Sequence, residues 1–351
     1  MDAALAHYSV EQLEGALAAW GFKTAHAARL LRAYHRGAVD AAALPDLPRG
    51  LAEHLGALDL PSLPTLATRQ VSADGTTKLL LRLADGRTVE SVMMPDYAGR
   101  RVAGCLSSQV GCAMACDFCA TTRSGFERNL SAAEMTAQFL ALRAEAAALG
   151  RRLQTIVFMG MGEPLLNVDE VLEAVTRIAD PRYGALGWRQ VTVSTVGIVP
   201  GMDRLTATGL GFHLAVSLHA PDDETRSRLL PTGRRFSIRD ILAAADRFQA
   251  RRGRPVTIQY CLLRDVNDSV EHARALASLL GTRRMHVNLL TYNPTGTGLR
   301  GAEYQPTLPE RAESFVAVLR EAGLVAHFRR SRGPDIDAAC GQLRRRMPAA
   351  V

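Results

Sequence analysis

No run of about 18 or more apolar residues occurs in the sequence, so no membrane-spanning helix is expected. The first residues, Met1-Asp2-Ala3-Ala4, carry neither the basic nor the apolar stretch of a secretory signal, and a cytoplasmic location is expected. Low-complexity segments and short internal repeats are absent, and a hydrophobic content of 47% is that of a globular chain, not a disordered one. Aromatic residues make up only 5%, with no aromatic RNA-recognition signature among them. Cysteine is scarce, with 6 in 351 residues; in a cytoplasmic protein such residues are more often ligands or catalysts than structural disulfides. Acidic residues are the minority, 35 against 42 Lys and Arg, which leaves a net charge of +7. That balance suits a phosphate-bearing partner without demanding one.

What is present falls into three zones. Residues 1–60 carry helical patterns. The capping box Ser9-Val10-Glu11-Gln12 opens a helix bearing Leu13, Leu17 and Trp20, Ala25 to Arg36 forms a second, and Pro48 to Leu58 a third. Arg29, Arg32 and Arg36 make this unit either an RNA-contacting domain or a helical cap with solvated arginines. In residues 61–97 three strands, Thr68 to Ser72, Thr77 to Leu83 and Thr88 to Met94, are separated by Asp74-Gly75 and Asp85-Gly86. Each Asp-Gly is a hairpin signal, so a β-hairpin extension is expected.

Residues 98–351 alternate strand-like runs, beginning at Val102, Thr155, Val191, His213, Val256, Met285 and Leu324, with helices such as Ala132 to Leu149 and Val270 to Leu280. Repeated β-then-α units predict an α/β fold with a parallel sheet, and too few units for a closed eightfold barrel predict a partial (β/α) barrel. Active-site residues of barrels gather at the C-terminal ends of strands. Gly160 to Glu163, Ser194, Ser217 to His219 and Asn293 all fall at or after such ends, as does a cluster of cysteines.

That cluster is Cys112-x3-Cys116-x2-Cys119, with Phe118 before the last cysteine. Thiolates bind soft metals, and three on one loop leave a metal centre with an unfilled position. Structural zinc usually takes four ligands in paired knuckles, and no second pair is near. A cuboidal 4Fe-4S cluster fits better, because three cysteines would leave one of its four irons open.

The spacing resembles the signature of radical S-adenosylmethionine (SAM) enzymes. More of the chain is similar to the RlmN/Cfr group of radical-SAM RNA adenosine methyltransferases: Cys105-Leu-Ser-Ser-Gln-Val-Gly-Cys112, Phe158-Met-Gly-Met-Gly-Glu-Pro-Leu165, Ser217-Leu-His-Ala220, Tyr292-Asn-Pro294 and Asp335-Ile-Asp-Ala-Ala-Cys-Gly-Gln-Leu343. Gln109-Val110-Gly111 and Gly125 to Leu130 are closer to RlmN. The resemblance implies a 4Fe-4S cluster on Cys112, Cys116 and Cys119 and two SAM molecules per turnover. It implies SAM contacts from Gly162, Glu163, Ser194, Ser217, Leu218, His219 and Asn293. Cys340 is then the methyl carrier, Cys105 the thiol that resolves the protein–RNA adduct by forming a disulfide with it, and Glu90 the base. The expected reaction is methylation of adenine C2 in 23S rRNA and in tRNA, with an electron donor such as flavodoxin.

Two other readings stand beside it: methylation at C8 of the same rRNA, as in Cfr, and a noncatalytic RNA-binding protein with a structural metal. Arg29, Arg32 and Arg36, Lys78 and Arg82, Arg329, Arg330 and Arg332, and Arg344 to Arg346 are the expected phosphate partners. Cys261, within an apolar strand and without a motif, reads as core.

Overall fold

The computed structural model describes residues 5–35, 47–48, 50–59, 62–96, 100–182 and 186–343. Three helices come first: α1 (Val10–Ala19), α2 (His26–His35) and α3 (Leu51–Gly56). The capping box forms as its spacing predicts: the Ser9 hydroxyl accepts the Gln12 N–H, and the Gln12 side chain accepts the Ser9 N–H. Leu13, Leu17, Leu30, Leu31 and Leu55 close a small core of their own, which docks on Ala133. Arg177 fastens the unit by donating to the Ala6 carbonyl at 2.6 Å.

Strands β1 (Thr65–Val71), β2 (Thr77–Arg82) and β3 (Thr88–Pro95) form the expected antiparallel meander. They do not stand apart, because β3 pairs antiparallel with β4 (Arg101–Leu106) and so continues the main sheet. From β4 the order runs through β7 (Arg152–Phe158), β8 (Val191–Thr195), β9 (His213–Ser217), β10 (Val256–Leu262), β11 (Met285–Thr291) and β12 (Val325–Arg329), every neighbour parallel. Among the described residues β12 is an edge of this sheet, paired with β11 alone, so the barrel is open along one side.

The helices of this region are α4 (Ala132–Ala148), α5 (Val168–Ala179), α6 (Val199–Ala207), α7 (Asp223–Leu229), α8 (Ile238–Arg252), α9 (Val270–Leu280) and α10 (Pro309–Glu321). They cover the sheet with a continuous core that includes Phe139, Phe158, Phe248 and Phe315. Between β4 and α4 a separate two-stranded ribbon, β5 (Gln109–Gly111) with β6 (Phe126–Asn129), brackets the cysteine loop. The ribbon, α6 and α7 were not foreseen from the sequence. Arg36 and Arg344 to Arg346 lie outside the described residues.

Candidate active site

The cysteine loop leaves the sheet through Gly111, whose φ of +76° and position against the next turn admit only glycine. A Cβ there would lie 1.9 Å from the Gly125 carbonyl oxygen. The Cys112 N–H donates to that same oxygen at 2.9 Å, and the Thr122 hydroxyl donates to the Cys119 carbonyl, also at 2.9 Å. Asp117, buried, fixes the loop from the other side. Its N–H meets the Leu229 carbonyl, and its carboxylate accepts the Arg300 N–H at 2.9 Å and the Tyr304 hydroxyl at 2.7 Å. Phe118 sets its ring edge-on to His219, centroids 5.2 Å apart.

Cys112, Cys116 and Cys119 line one cavity with Gly162, Glu163, Ser194, Ser217, His219 and Cys340. Gly162 (φ +97°) packs so tightly that a Cβ would sit 2.5 Å from the Gln109 side chain. Both Glu163 oxygens accept backbone N–H groups, from Leu165 at 2.9 Å and Val196 at 2.8 Å. Burial nevertheless outweighs these bonds and raises its carboxyl to about 7. His219 takes a positive φ of 61° and accepts the Cys261 N–H on Nδ1, so its proton resides on Nε2. Burial, with the Arg226 charge nearby, lowers its pKa to about 3, which keeps the ring neutral. Cys261 is buried as core yet also borders this cavity. Leu218 does not reach it; its side chain is fully buried in the barrel core.

Do these residues fit an iron–sulfur cluster? Burial pushes Cys112 up to about 12 and raises Cys116 and Cys119 as well, so the thiols ionise only with a cation to hold them. No group of three His, Cys, Asp or Glu side chains among the described residues closes on a single metal ion. A multi-iron cluster does not require that, because each cysteine ligates a separate iron and the sulfurs stay spread. Arg226, only 1% exposed, adds a second sign. One nitrogen donates to the Val196 carbonyl, while Nε and Nη1 have no hydrogen-bond partner. Unpaired buried N–H groups cost about 1–3 kcal/mol each. A buried guanidinium beside Cys116 with donors unused suits an anionic occupant, and thiolate-ligated clusters are anionic. The donor set therefore fits the group.

A second cavity, of ≈ 540 Å³, shares Cys119, Met159, Cys340 and Gly341 with the first and reaches Val92, Cys105 and Asn293. Cys340 thus sits on the wall between the three-cysteine cavity and Cys105. It is accessible from the cavities but enclosed by protein, and this burial raises its thiol pKa. Its segment is laced onto the cysteine loop: the Ala120 N–H meets the Gly341 carbonyl and the Thr121 hydroxyl meets the Leu343 carbonyl, both at 2.7 Å. Asn293 donates to the Cys340 carbonyl at 3.3 Å and lines the second cavity, not the first.

All six cysteines are free thiols in this structure, so no disulfide joins Cys105 to Cys340 here. Cys105 is pushed up to about 12 by burial and by the neighbouring Cys340, which keeps it a neutral thiol at rest.

The second cavity opens toward Arg329, Arg330 and Arg332 and joins a surface cleft lined also by Arg101 and Phe328, the latter 39% exposed. Arg32 is exposed and donates through Nε to the Arg182 carbonyl at 2.9 Å. One expected phosphate partner is placed elsewhere. Lys78 is buried, with its ammonium 3.0 Å from Glu90, so it cannot meet a phosphate. Glu90 itself is fully buried on β3. It lies two residues from Val92, which pairs across the sheet with Cys105 and lines the second cavity. Arg226 and Asp117 were missed in the sequence because nothing in their local pattern signals burial.

Residues 106–280 match the Radical SAM superfamily. A probable dual-specificity RNA methyltransferase RlmN 1 of Opitutus terrae is 68% identical over 346 residues, 98% of this chain and 97% of that one. A probable dual-specificity RNA methyltransferase RlmN of Symbiobacterium thermophilum is 43% identical over 96% of this chain and 90% of its own. The crystal structure of a radical SAM methyltransferase from Sphaerobacter thermophilus superposes with a TM-score of 0.90 at 41% identity, covering 97% of this chain and 99% of that one. The chain therefore belongs to the RlmN family of radical SAM RNA methyltransferases, which work with a 4Fe-4S cluster and SAM.

Proposed function

We propose that the protein methylates C2 of adenosine in 23S rRNA and in tRNA, using Cys340 as methyl carrier. The observation that carries this reading is the position of Cys340 on the wall between two cavities, one holding Cys112, Cys116 and Cys119 and the other Cys105. When bound, the cluster and two SAM molecules per turnover supply the carrier methyl and its one-electron activation and take back the electron released on adduct formation, an electron donor such as flavodoxin priming the cycle. An adenine ring carbon offers no nucleophile for direct methyl transfer, so a carrier and a radical route replace it.

The chain's own residues do the rest. Glu163 receives the cationic amine of SAM against its carboxylate, and Ser194, Ser217 and the Nε2–H of His219 hydrogen-bond its ribose and methionine groups. Once the carrier carbon is joined to the ring, Glu90 removes the proton at the attacked carbon. Cys105 attacks the Cys340 sulfur, and the carbon–sulfur bond breaks with its electron pair going to the methylene carbon, which a proton converts to methyl. The two sulfurs leave as a disulfide that a reductant must reopen. Arg101, Arg329, Arg330 and Phe328 form the mouth through which the RNA presents an extruded base, with the helical unit of residues 1–60 as a further RNA contact.

The test is to incubate the reconstituted protein with unmodified rRNA and tRNA and to identify the product nucleoside by mass spectrometry. 2-Methyladenosine is expected from both RNAs and none from Cys340→Ala. Detection of 8-methyladenosine alone would overturn the choice of carbon, and methylation by Cys340→Ala would remove the carrier role.

A further inference from the structure

The chain has two lysines, Lys23 and Lys78, among 42 basic residues. Arginine serves almost every other position that needs a positive charge, yet the position against Glu90 is lysine, and it is 3% exposed. The site explains the choice. The Lys78 ammonium lies 3.0 Å from Glu90 Oε1 and donates to the Asp337 carbonyl at 3.3 Å. An ammonium is compact and can turn its three protons toward partners in different directions. A guanidinium is a rigid planar fork that would need more room.

The sheet register puts these groups on one surface. Lys78 pairs with Val92, and Val92 with Cys105, so the three form a row across β2, β3 and β4. Glu90, two residues from Val92, points to the same face. Ala338 and Leu343 cover that face by packing with Val92 and Cys105. The base, the resolving thiol and the segment bearing Cys340 therefore share one patch of sheet, and Lys78 touches two of them.

We propose that Lys78 is a positioning residue for the second half of the reaction. It holds the Glu90 carboxylate in place by its 3.0 Å contact, and through Asp337 it sets the carrier segment in register with that base. The inference rests on Glu90 being the proton acceptor. A purely stabilising pair would behave differently, because breaking it leaves a buried charge that lowers the stability of the whole fold and slows methyl loading and adduct clearing alike. Loading of Cys340 with methyl does not use the base and so does not need Lys78. Clearing of the protein–RNA adduct does.

The experiment follows Cys340 methylation by intact mass and the covalent RNA adduct on denaturing gels over time, in the reconstituted full chain. In Lys78→Met and Lys78→Gln, Cys340 loads with methyl and the adduct forms but clears at least about tenfold more slowly than in the unsubstituted protein. Lys78→Arg, which restores the charge, recovers part of the clearing rate. Glu90→Gln is the control and retains its adduct. If Glu90→Gln retains adduct while both neutral Lys78 variants clear it at the normal rate, the inference is wrong. If Glu90→Gln also clears normally, the base assignment itself fails and takes the inference with it. Should Lys78→Met not take up iron, Lys78→Gln decides by the same clearing rate.

Discussion

At the scale of single residues the site is a collection of groups whose ionisation the fold has displaced. Glu163 shows the direction most clearly. Its ordinary value is 4.5, and burial raises it to about 7. Between those values the folded chain holds a proton that the unfolded chain has lost, so the stability of the ligand-free protein falls as pH rises through that window. Binding of a cationic amine has the opposite sense, because only the carboxylate attracts it. SAM affinity should therefore strengthen as pH rises from about 6 to about 8, and in Glu163→Gln it should be weaker and flat with pH. Equilibrium binding of SAM to the cluster-loaded protein across that range checks this; an unchanged slope in the variant would move the ammonium site elsewhere. Cys112, Cys116, Cys119, Glu163, Ser194, Ser217 and His219, singled out by sequence pattern, line one cavity and share one trait. Each lies at or after a strand end in a motif that carries its own backbone geometry. Lys78 was misplaced because a sequence shows its charge and not its burial, and a motif that names Leu218 as a neighbour along the chain does not say that its side chain faces the core.

Among the elements, the parallel strands were legible because both of their faces are covered, which leaves apolar runs bounded by turns. Helices α6 and α7 were not. The first carries Pro200 and Gly201 near its start, and the second is seven residues, acidic in its first turn and basic in its last, packed on the cysteine loop through Leu229. A set of hydrogen bonds joins the β1–β2 turn to the segment that bears Cys340. The Ser72 hydroxyl donates to Asp335 Oδ1 at 2.5 Å, the Ala73 N–H donates to Asp335 Oδ2, and the Gly333 N–H donates to Asp74. A tight hairpin turn thus grips the residues just ahead of Cys340. Asp335→Ala should loosen that grip and speed alkylation of Cys340 by iodoacetamide several-fold. Because the Asp335 carboxylate lies at the surface, the denaturant midpoint should change little. Mass-resolved alkylation rates beside a denaturant melt test this, and unaltered alkylation would show that the turn does not restrain the segment.

For the whole molecule, the sheet is open at β12, and residues of β3, β4 and β12 line the arginine-bearing cleft that meets the cavity of Cys105 and Cys340. A net charge of +7 spread over the surface would bind RNA anywhere, whereas under the proposed reading arginines at this mouth would hold it at the cavity of Cys105 and Cys340. Arg329→Ala with Arg330→Ala should weaken RNA binding mainly at low salt and flatten the dependence of log affinity on log salt by about one for each phosphate no longer neutralised. Methyl loading of Cys340 should be untouched, and an unchanged salt slope would exclude the mouth as the docking face. One hydrogen bond within this architecture also bears on how the protein is made. The bond from Thr121 to Leu343 spans 222 residues of chain. A ribosome adding about 5–20 residues per second delivers the cysteine loop some tens of seconds before the segment that roofs it. Through that interval the three thiols have no lid, and the site stands open to the machinery that inserts iron and sulfide before its own C-terminal residues shut it in.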